Sequence, residues 1–138
     1  MADRVRVAIN GYGVIGKRVA DAVRTQSDMV LVGVSDVVAD WRTRVLQRRR
    51  IPLFAATPEA RDALTRNAIP TEGALEDLLS EIDVVVDCTP KHVAASNVPI
   101  YRRLGRKFIV EGGEKHTVTG HSFVAEANYE TAVGRDAT

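Results

Sequence analysis

The sequence predicts an α/β domain of the Rossmann-like, doubly wound kind: a largely parallel sheet with helices on both faces. Three observations carry this. Short runs of β-branched residues alternate with stretches whose apolar residues recur every three or four positions, the pattern of βαβ crossovers. A glycine-rich turn, Gly11-Tyr12-Gly13-Val14-Ile15-Gly16, stands between the first such run and the first helical stretch. The chain has 138 residues, 45% of them hydrophobic. It shows no repeat, low-complexity tract or linker, so residues 1–138 read as one domain able to bury a core.

Each element has a local reason. Val5, Val7, Ala8 and Ile9 form a short apolar run closed by Asn10-Gly11, a strand ending in a turn signal. Ile15, Val19, Ala22 and Val23 recur at helical spacing, which predicts a helix from Gly16 to about Thr25. Val30, Leu31, Val32 and Val34 predict a second strand that ends near Ser35-Asp36. Ala39 to Arg50 reads as a helix with Trp41, Val45 and Leu46 on one side. Ile51 to Ala55 reads as a short strand, placed at a sheet edge by Pro52. Thr57-Pro58 is a helix start, because the hydroxyl can cap a free N–H and proline lacks only an N–H that would be orphaned. Ala60, Ala63 and Leu64 continue that helix, and Leu75, Leu78, Leu79 and Ile82 mark another. Val84-Val85-Val86 is the most apolar strand. Val93, Ala94, Val98, Tyr101 and Leu104 give a helical face that Pro99 is expected to kink or split. Phe108-Ile109-Val110 is a strand closed by Gly112-Gly113, and His121 to Ala127 is a weaker strand candidate.

Composition excludes several classes of function. A formal net charge of +1 argues against a dedicated nucleic-acid or membrane-surface binder. No apolar run approaches the roughly 20 residues of a membrane span, and no basic segment leads into an apolar signal core. Cys88 is the one cysteine, so an internal disulfide and a multi-cysteine zinc site are excluded, and a reducing cytoplasm is expected. His92, His116 and His121 are not spaced as metal ligands.

In a doubly wound sheet, ligands bind beyond the carboxyl ends of the strands. Asn10–Gly16, Ser35–Asp36, Cys88–Pro90 and Glu111–Glu114 should gather there. The G-x-G-x-x-G turn follows a predicted strand and opens a predicted helix, the context in which it marks a dinucleotide site. Gly11 permits the tight turn, Gly13 clears the way for a pyrophosphate, and Gly16 lets helix and strand pack closely. The positive end of the helix then faces the phosphates. Asp36 lies twenty positions after Gly16 and can accept from ribose hydroxyls while repelling a 2′-phosphate, which favours NAD over NADP. Arg42 and Arg44 lie close enough in sequence to leave NADP open. Thr89 is a candidate hydrogen-bonding partner of the phosphate or ribose. Cys88 sits just inside a buried strand end, where a cysteine is ordinarily inert core rather than a nucleophile. Gly112 and Gly113 allow close approach of a ligand on the nicotinamide side, though a plain turn accounts for them equally well. The run Arg48-Arg49-Arg50 reads as a solvated helix end, with a phosphate contact or a subunit interface as the other readings.

The stretch from Val7 to Ala22, with its Asn-Gly-Tyr-Gly-Val-Ile-Gly-Lys-Arg-Val core, resembles the opening of the archaeal-type (type II) glyceraldehyde-3-phosphate dehydrogenases. The likeness continues through Asp28-Met29, Val32-Gly33-Val34, Asp83 to Asp87, Thr89-Pro90, Pro99-Ile100-Tyr101, Gly112-Gly113-Glu114, Ser122-Phe123 and Ala127-Asn128-Tyr129. It implies the NAD(P)-binding domain of a cytoplasmic, homotetrameric enzyme of glycolysis and gluconeogenesis. That enzyme oxidises glyceraldehyde 3-phosphate to an acyl phosphate with hydride transfer to the nicotinamide, through a cysteine nucleophile. The family's nucleophile lies in an S-C-N-T-T segment past the part matched by Asn128-Tyr129. No residue of 1–138 is therefore expected to be catalytic, and the chain alone should bind cofactor without turnover. Cys88 stands where the family commonly has threonine or alanine. Asp36-Val37 stands where many relatives have Lys-Thr, a lysine associated with 2′-phosphate binding. Glu111 replaces a frequent glutamine and Val14 a frequent threonine.

Motif, spacing and resemblance together place Gly11, Tyr12, Gly13, Val14 and Ile15 at the pyrophosphate, and the spacing from Gly16 places Asp36 at the ribose. Together they also place Thr89, Pro90 and Gly112 on the nicotinamide side. Two other classes fit the bare residues: a stand-alone nucleotide-binding or redox-sensing module, and the nucleotide domain of another two-domain dehydrogenase, such as an aspartate-semialdehyde or homoserine type. The long Asn-Gly-Tyr-Gly match runs against the second of these.

Overall fold

The most apolar strands occupy the middle of the sheet. In the computed structural model, which describes residues 3–138, β1 (Val5–Asn10) lies between β2 (Met29–Asp36) and β5 (Val84–Asp87). β3 (Leu53–Ala55) and β4 (Gly73–Ala74) continue the sheet beyond β2, and β6 (Lys107–Val110) lies outside β5. The six strands run in the order β4-β3-β2-β1-β5-β6, and every pair is parallel.

Alternation along the strands divides the core into two layers, because successive side chains point to opposite faces. Val7, Ile9 and Val86 pack with Ala20 and Val23 of α1 (Val14–Thr25), Leu46 of α2 (Trp41–Arg48) and Leu64 of α3 (Pro58–Arg66). Ala8 and Val85 face the other way, onto Leu78 and Leu79 of α4 (Leu75–Ser80) and Val98 and Tyr101 of α5 (Val93–Arg103). Helices therefore cover both faces, as the sequence predicts. The chain moves outward from β1 to β4, and α4 then carries it back across to β5. Strand order thus reverses between β1 and β5, which opens a crevice at their carboxyl ends.

The predicted start of α3 holds. The Thr57 hydroxyl caps α3 by accepting from the Ala60 N–H at 3.1 Å, with Pro58 in the first turn. Four other expectations are corrected. The first helix begins at Val14 rather than Gly16, so the end of the glycine turn is already helical. The Leu53–Ala55 strand is not at the edge, because the two-residue β4 lies outside it. Pro52 precedes this strand, and its carbonyl accepts from the Val34 N–H at 2.9 Å. Pro99 does not split α5, which runs unbroken from Val93 to Arg103; Pro99 and Ala95, whose carbonyl lacks a donor, are both exposed, so water meets that carbonyl.

The fourth correction concerns His121–Ala127, which is not a strand. The Asn128 side chain accepts from the Val124 N–H at 2.7 Å and donates to the Ser122 carbonyl at 2.7 Å, which curls the segment into α6 (Ala125–Ala132). The outer side of β6 is met instead by Asp136–Thr138, with the Thr138 carbonyl accepting from Val110 at 2.8 Å.

A line of buried polar groups stitches the central strands together. Ser35 Oγ on β2 donates to Asn10 Oδ1 on β1 at 2.8 Å. Asn10 Nδ2 donates to the Tyr101 hydroxyl on α5 at 2.8 Å, and that hydroxyl donates to Asp87 Oδ2 on β5 at 2.6 Å. Ser35, Asp87 and Tyr101 are fully buried. Burial, reinforced by the Asp87 charge, pushes the Tyr101 phenol far above its ordinary range, so it remains a donor at any working pH. Replacing Tyr101 by Phe leaves Asn10 and Asp87 each short of a partner in a dry site. Urea denaturation of Tyr101→Phe is expected to show a loss of about 1–3 kcal/mol.

Candidate functional site

Three turns meet at the carboxyl ends of β1, β5 and β6, and glycine is what lets them meet. Gly11 has φ +92°, and a Cβ there would stand 3.0 Å from the Cys88 carbonyl and from the Thr89 nitrogen. At Gly16 a Cβ would come within 1.8 Å of the Gly11 carbonyl oxygen, so α1 can lie on β1 only if residue 16 has no side chain. At Gly112 it would stand 3.5 Å from the Thr89 carbonyl. Thr89 is therefore flanked by the glycine turn on one side and by the β6 turn on the other. Gly13 differs: nothing lies within 4 Å of its missing Cβ. It caps α1 without a side-chain bond, so the first N–H groups of a twelve-residue helix face open space. Val14 and Ile15 are exposed beside it.

Tyr12 turns its side chain inward. Its ring is buried and its hydroxyl accepts from Arg49 Nη1 at 2.6 Å, while Arg49 also pairs with Asp21 on α1. Burial raises the Tyr12 phenol above its ordinary pKa, and the Arg49 guanidinium opposes that shift. Arg49 thus leaves the basic run Arg48-Arg49-Arg50 to brace the glycine turn from beneath, a role its sequence neighbours gave no sign of. Only the backbone of Tyr12 faces the crevice, and its N–H donates to Asp36 Oδ2 at 2.6 Å.

Asp36 also receives the N–H groups of Val37 and Val38 on Oδ1, at 2.7 and 2.9 Å. A carboxylate offers about four acceptor positions, so roughly one is left for a ligand hydroxyl. Asp36 can therefore take about one ribose hydroxyl rather than both. The nearby arginines are engaged elsewhere. Arg42 forks onto Asp40, with Nη2 at 2.7 Å, and its hydrogen bond holds the Asp40 carboxyl below the usual range. Arg44 Nη2 donates to the Asn67 carbonyl at 2.8 Å.

Asp87 is the functional candidate that the sequence reading passed over as a strand end. Its Oδ1 accepts from the N–H of Thr89 at 2.9 Å and from the Thr89 hydroxyl. Its Oδ2 accepts from Asn97 Nδ2 at 2.9 Å as well as from Tyr101. The Asp-x-Thr spacing was the available signal, since aspartate often binds the backbone N–H two residues on. Cys88, between them, is half-buried, and burial with the charges of Asp87 and Glu111 pushes its thiol up to about 12. A nucleophilic role is incompatible with that environment. Pro90 and Gly112 are exposed at the rim.

A hollow of about 520 Å³ runs between α1 and α2, touching Tyr12, Gly13, Val14, Trp41 and Arg42. It adjoins the glycine turn but reaches none of Asp36, Thr89, Pro90 or Gly112. Among the described residues no cluster of His, Cys, Asp or Glu is placed to hold a metal ion, and no helix is long and apolar enough to cross a membrane.

A strand-turn-helix with an open helix N-terminus, a carboxylate at the end of β2 and a crevice at the strand reversal define a Rossmann domain of the nicotinamide-dinucleotide-binding class. Residues 5–112 match the family described as "Dihydrodipicolinate reductase, N-terminus", and the chain belongs to that family. It is also similar to glyceraldehyde-3-phosphate dehydrogenase 2 of Methanosarcina barkeri (strain Fusaro / DSM 804), with 45% identity over 135 residues, 98% of this chain and 40% of the relative. Identity to the glyceraldehyde-3-phosphate dehydrogenase of Archaeoglobus fulgidus is 49% over 133 residues, 96% of this chain and 39% of the relative. The chain thus spans about 40% of the length of the curated relatives it matches, and it resembles their N-terminal, nucleotide-binding part. Among solved structures, GenD2 from gentamicin A biosynthesis in complex with NAD aligns with a TM-score of 0.59 at 20% identity, over 80% of this chain and 27% of that one. At that identity the likeness is one of fold.

Two glycine substitutions separate fold from site. Gly16→Ala is expected to cost about 3 kcal/mol or more, or to prevent folding, since the methyl group meets backbone. Gly13→Ala should fold with a loss of about 1 kcal/mol at most, yet weaken binding of NAD about tenfold; thermal melts and calorimetry on both variants check this. The Cys88 thiol provides a further test. In native protein at pH 8 its thiolate fraction should be roughly three orders of magnitude below that of an unfolded cysteine, so iodoacetamide should label it only after denaturation. Because folding raises this pKa, the associated stability is complete below about pH 8.5 and declines as the pH rises above it.

Proposed function

We propose that the chain is the cofactor domain of a phosphorylating glyceraldehyde-3-phosphate dehydrogenase and that it prefers NAD to NADP. The observation that carries the cofactor preference is the state of the charges at the end of β2. Asp36 presents a carboxylate at the predicted ribose position, while Arg42 and Arg44 are held by Asp40 and the Asn67 carbonyl. A 2′-phosphate brought there meets a like charge, and the guanidinium groups of Arg42 and Arg44 already hold other partners, an arrangement that disfavours it.

In this reading the pyrophosphate lies over Gly11, Tyr12, Gly13, Val14 and Ile15, held by backbone N–H groups at the start of α1. Asp36 accepts from an adenosine ribose hydroxyl. Thr89, Pro90 and Gly112 border the nicotinamide half. When bound, NAD supplies the hydride acceptor, and the residues of this chain bind and orient it. Cys88 does not attack an aldehyde, because its thiol stays protonated at neutral pH. The chain by itself is therefore a binder without dehydrogenase turnover. The whole enzyme, by its likeness to the archaeal relatives, is a cytoplasmic homotetramer that carries its nucleophile elsewhere.

Calorimetry with NAD and NADP tests this. NAD should bind more tightly to the wild-type chain, and Asp36→Asn should narrow the ratio about tenfold by removing the like charge. Equal affinities in both proteins contradict the assignment of Asp36. Turnover of glyceraldehyde 3-phosphate by the purified chain contradicts the assignment of the nucleophile.

A further inference from the structure

We propose that Asp87 is a positioning residue that turns Thr89 into an acceptor-only contact, aimed at a donor group on the nicotinamide half of the cofactor. The inference rests on the reading of this crevice as a dinucleotide site and concerns a polarity that the reading left open.

With the Asn10 amide oriented as in the structure, proton directions follow along the buried line. Ser35 donates to the Asn10 carbonyl oxygen, which directs Asn10 Nδ2 to the Tyr101 oxygen. That oxygen is then an acceptor from Asn10, so the single Tyr101 proton goes to Asp87. Asn97 Nδ2 and the Thr89 N–H reach Asp87 with hydrogens as well. Each of these partners brings a hydrogen, so both oxygens of Asp87 act as acceptors. The Thr89 hydroxyl, which shares Oδ1 with its own N–H, must therefore give its only proton to Asp87. What Thr89 offers outward is lone pairs.

This excludes one of the two partners that the sequence allows. Phosphodiester oxygens of a dinucleotide carry no proton at neutral pH and cannot donate to Thr89. Ribose hydroxyls and the N–H groups of a carboxamide can. Placement agrees: Thr89 is half-buried between Gly11 and Gly112 at the strand reversal, across from the Asp36 end of the crevice. Asp87 itself is wholly buried and touches no ligand, so it acts through the hydroxyl it holds. The line begins on β2 at Ser35, next to Asp36, so the same hydrogen-bond chain runs from the ribose-side strand to the far side of the crevice.

Calorimetry on the 138-residue chain with ADP, ADP-ribose and NAD tests this. Thr89→Val should weaken NAD about two- to tenfold, the effect of one hydrogen bond, and leave ADP unchanged. Thr89→Ser should restore wild-type NAD binding, and Asp87→Asn should reproduce the Thr89→Val pattern. ADP-ribose will follow NAD if the donor is the distal ribose, and ADP if it is the carboxamide. An equal loss for ADP and NAD in Thr89→Val, or no loss for NAD, overturns the proposal. If Asp87→Asn does not fold, the Thr89 hydroxyl proton of the wild type decides that half. Slow exchange in its NMR signal supports its capture by Asp87, and exchange at the solvent rate contradicts it. A wild-type chain that binds none of the three probes overturns the dinucleotide reading itself, an outcome distinct from the others.

Discussion

Backbone against backbone, with no side chain between, is the constraint on which this domain depends. Gly16 sits on the carbonyl of Gly11, at a distance that a single methyl group would reduce to 1.8 Å. Gly11 in turn lies against Cys88 and Thr89. The first contact presses α1 onto β1, and the second draws the end of β5 up to the same turn. Together they set the start of α1 over the strand reversal, where its free N–H groups have a use. Tyr12 shows the same economy: its ring fills core under the turn and is braced by Arg49, so the turn is fixed from below while its upper surface stays bare.

Two carboxylates at the ends of β2 and β5, the strands that flank β1, take different roles because their surroundings differ. Asp36 lies at the rim and gathers three N–H groups, which shapes the turn and keeps negative charge where an adenosine 2′-position is expected. Asp87 is wholly buried and is met only by donors, from Thr89, Asn97 and Tyr101. Removing one partner from such a network costs more than its single bond suggests, because the remaining groups have no water to turn to. The network therefore both joins β5 to α5 and fixes what Thr89 can present.

Much of this was legible in the residues. Val7–Ile9 and Val84–Val86 are strands in the structure because local composition and burial agree, and Phe108–Val110 is one by composition with Phe108 alone fully buried. The glycine turn was legible because its chemistry is that of the backbone. The misses have different causes, each a partner or surrounding that apolar periodicity does not encode. Gly73–Ala74 has no strand propensity and pairs only because β3 offers an edge. His121–Ala127 has the composition of a strand, yet the side chain of Asn128 captures the backbone it would have needed. Pro99 was expected to break a helix and does not, since the carbonyl it orphans faces water. Arg49 was invisible as a site residue because its partners Tyr12 and Asp21 lie far away in sequence, and the Asp87–Thr89 pair, though local, gains its buried setting from Asn97 and Tyr101, ten and more positions on.

The central claim is that one end of this sheet, and no other part of the surface, receives a dinucleotide. Titrating NAD into isotopically labelled chain and following the backbone amides by NMR tests it most directly. The account predicts saturable shifts clustered at Gly11–Ile15, Asp36–Val38, Thr89 and Gly112, with the opposite ends of the strands, at Val5, Met29 and Lys107, unmoved. Shifts centred on those opposite ends, or no saturable shifts at millimolar NAD, would contradict it.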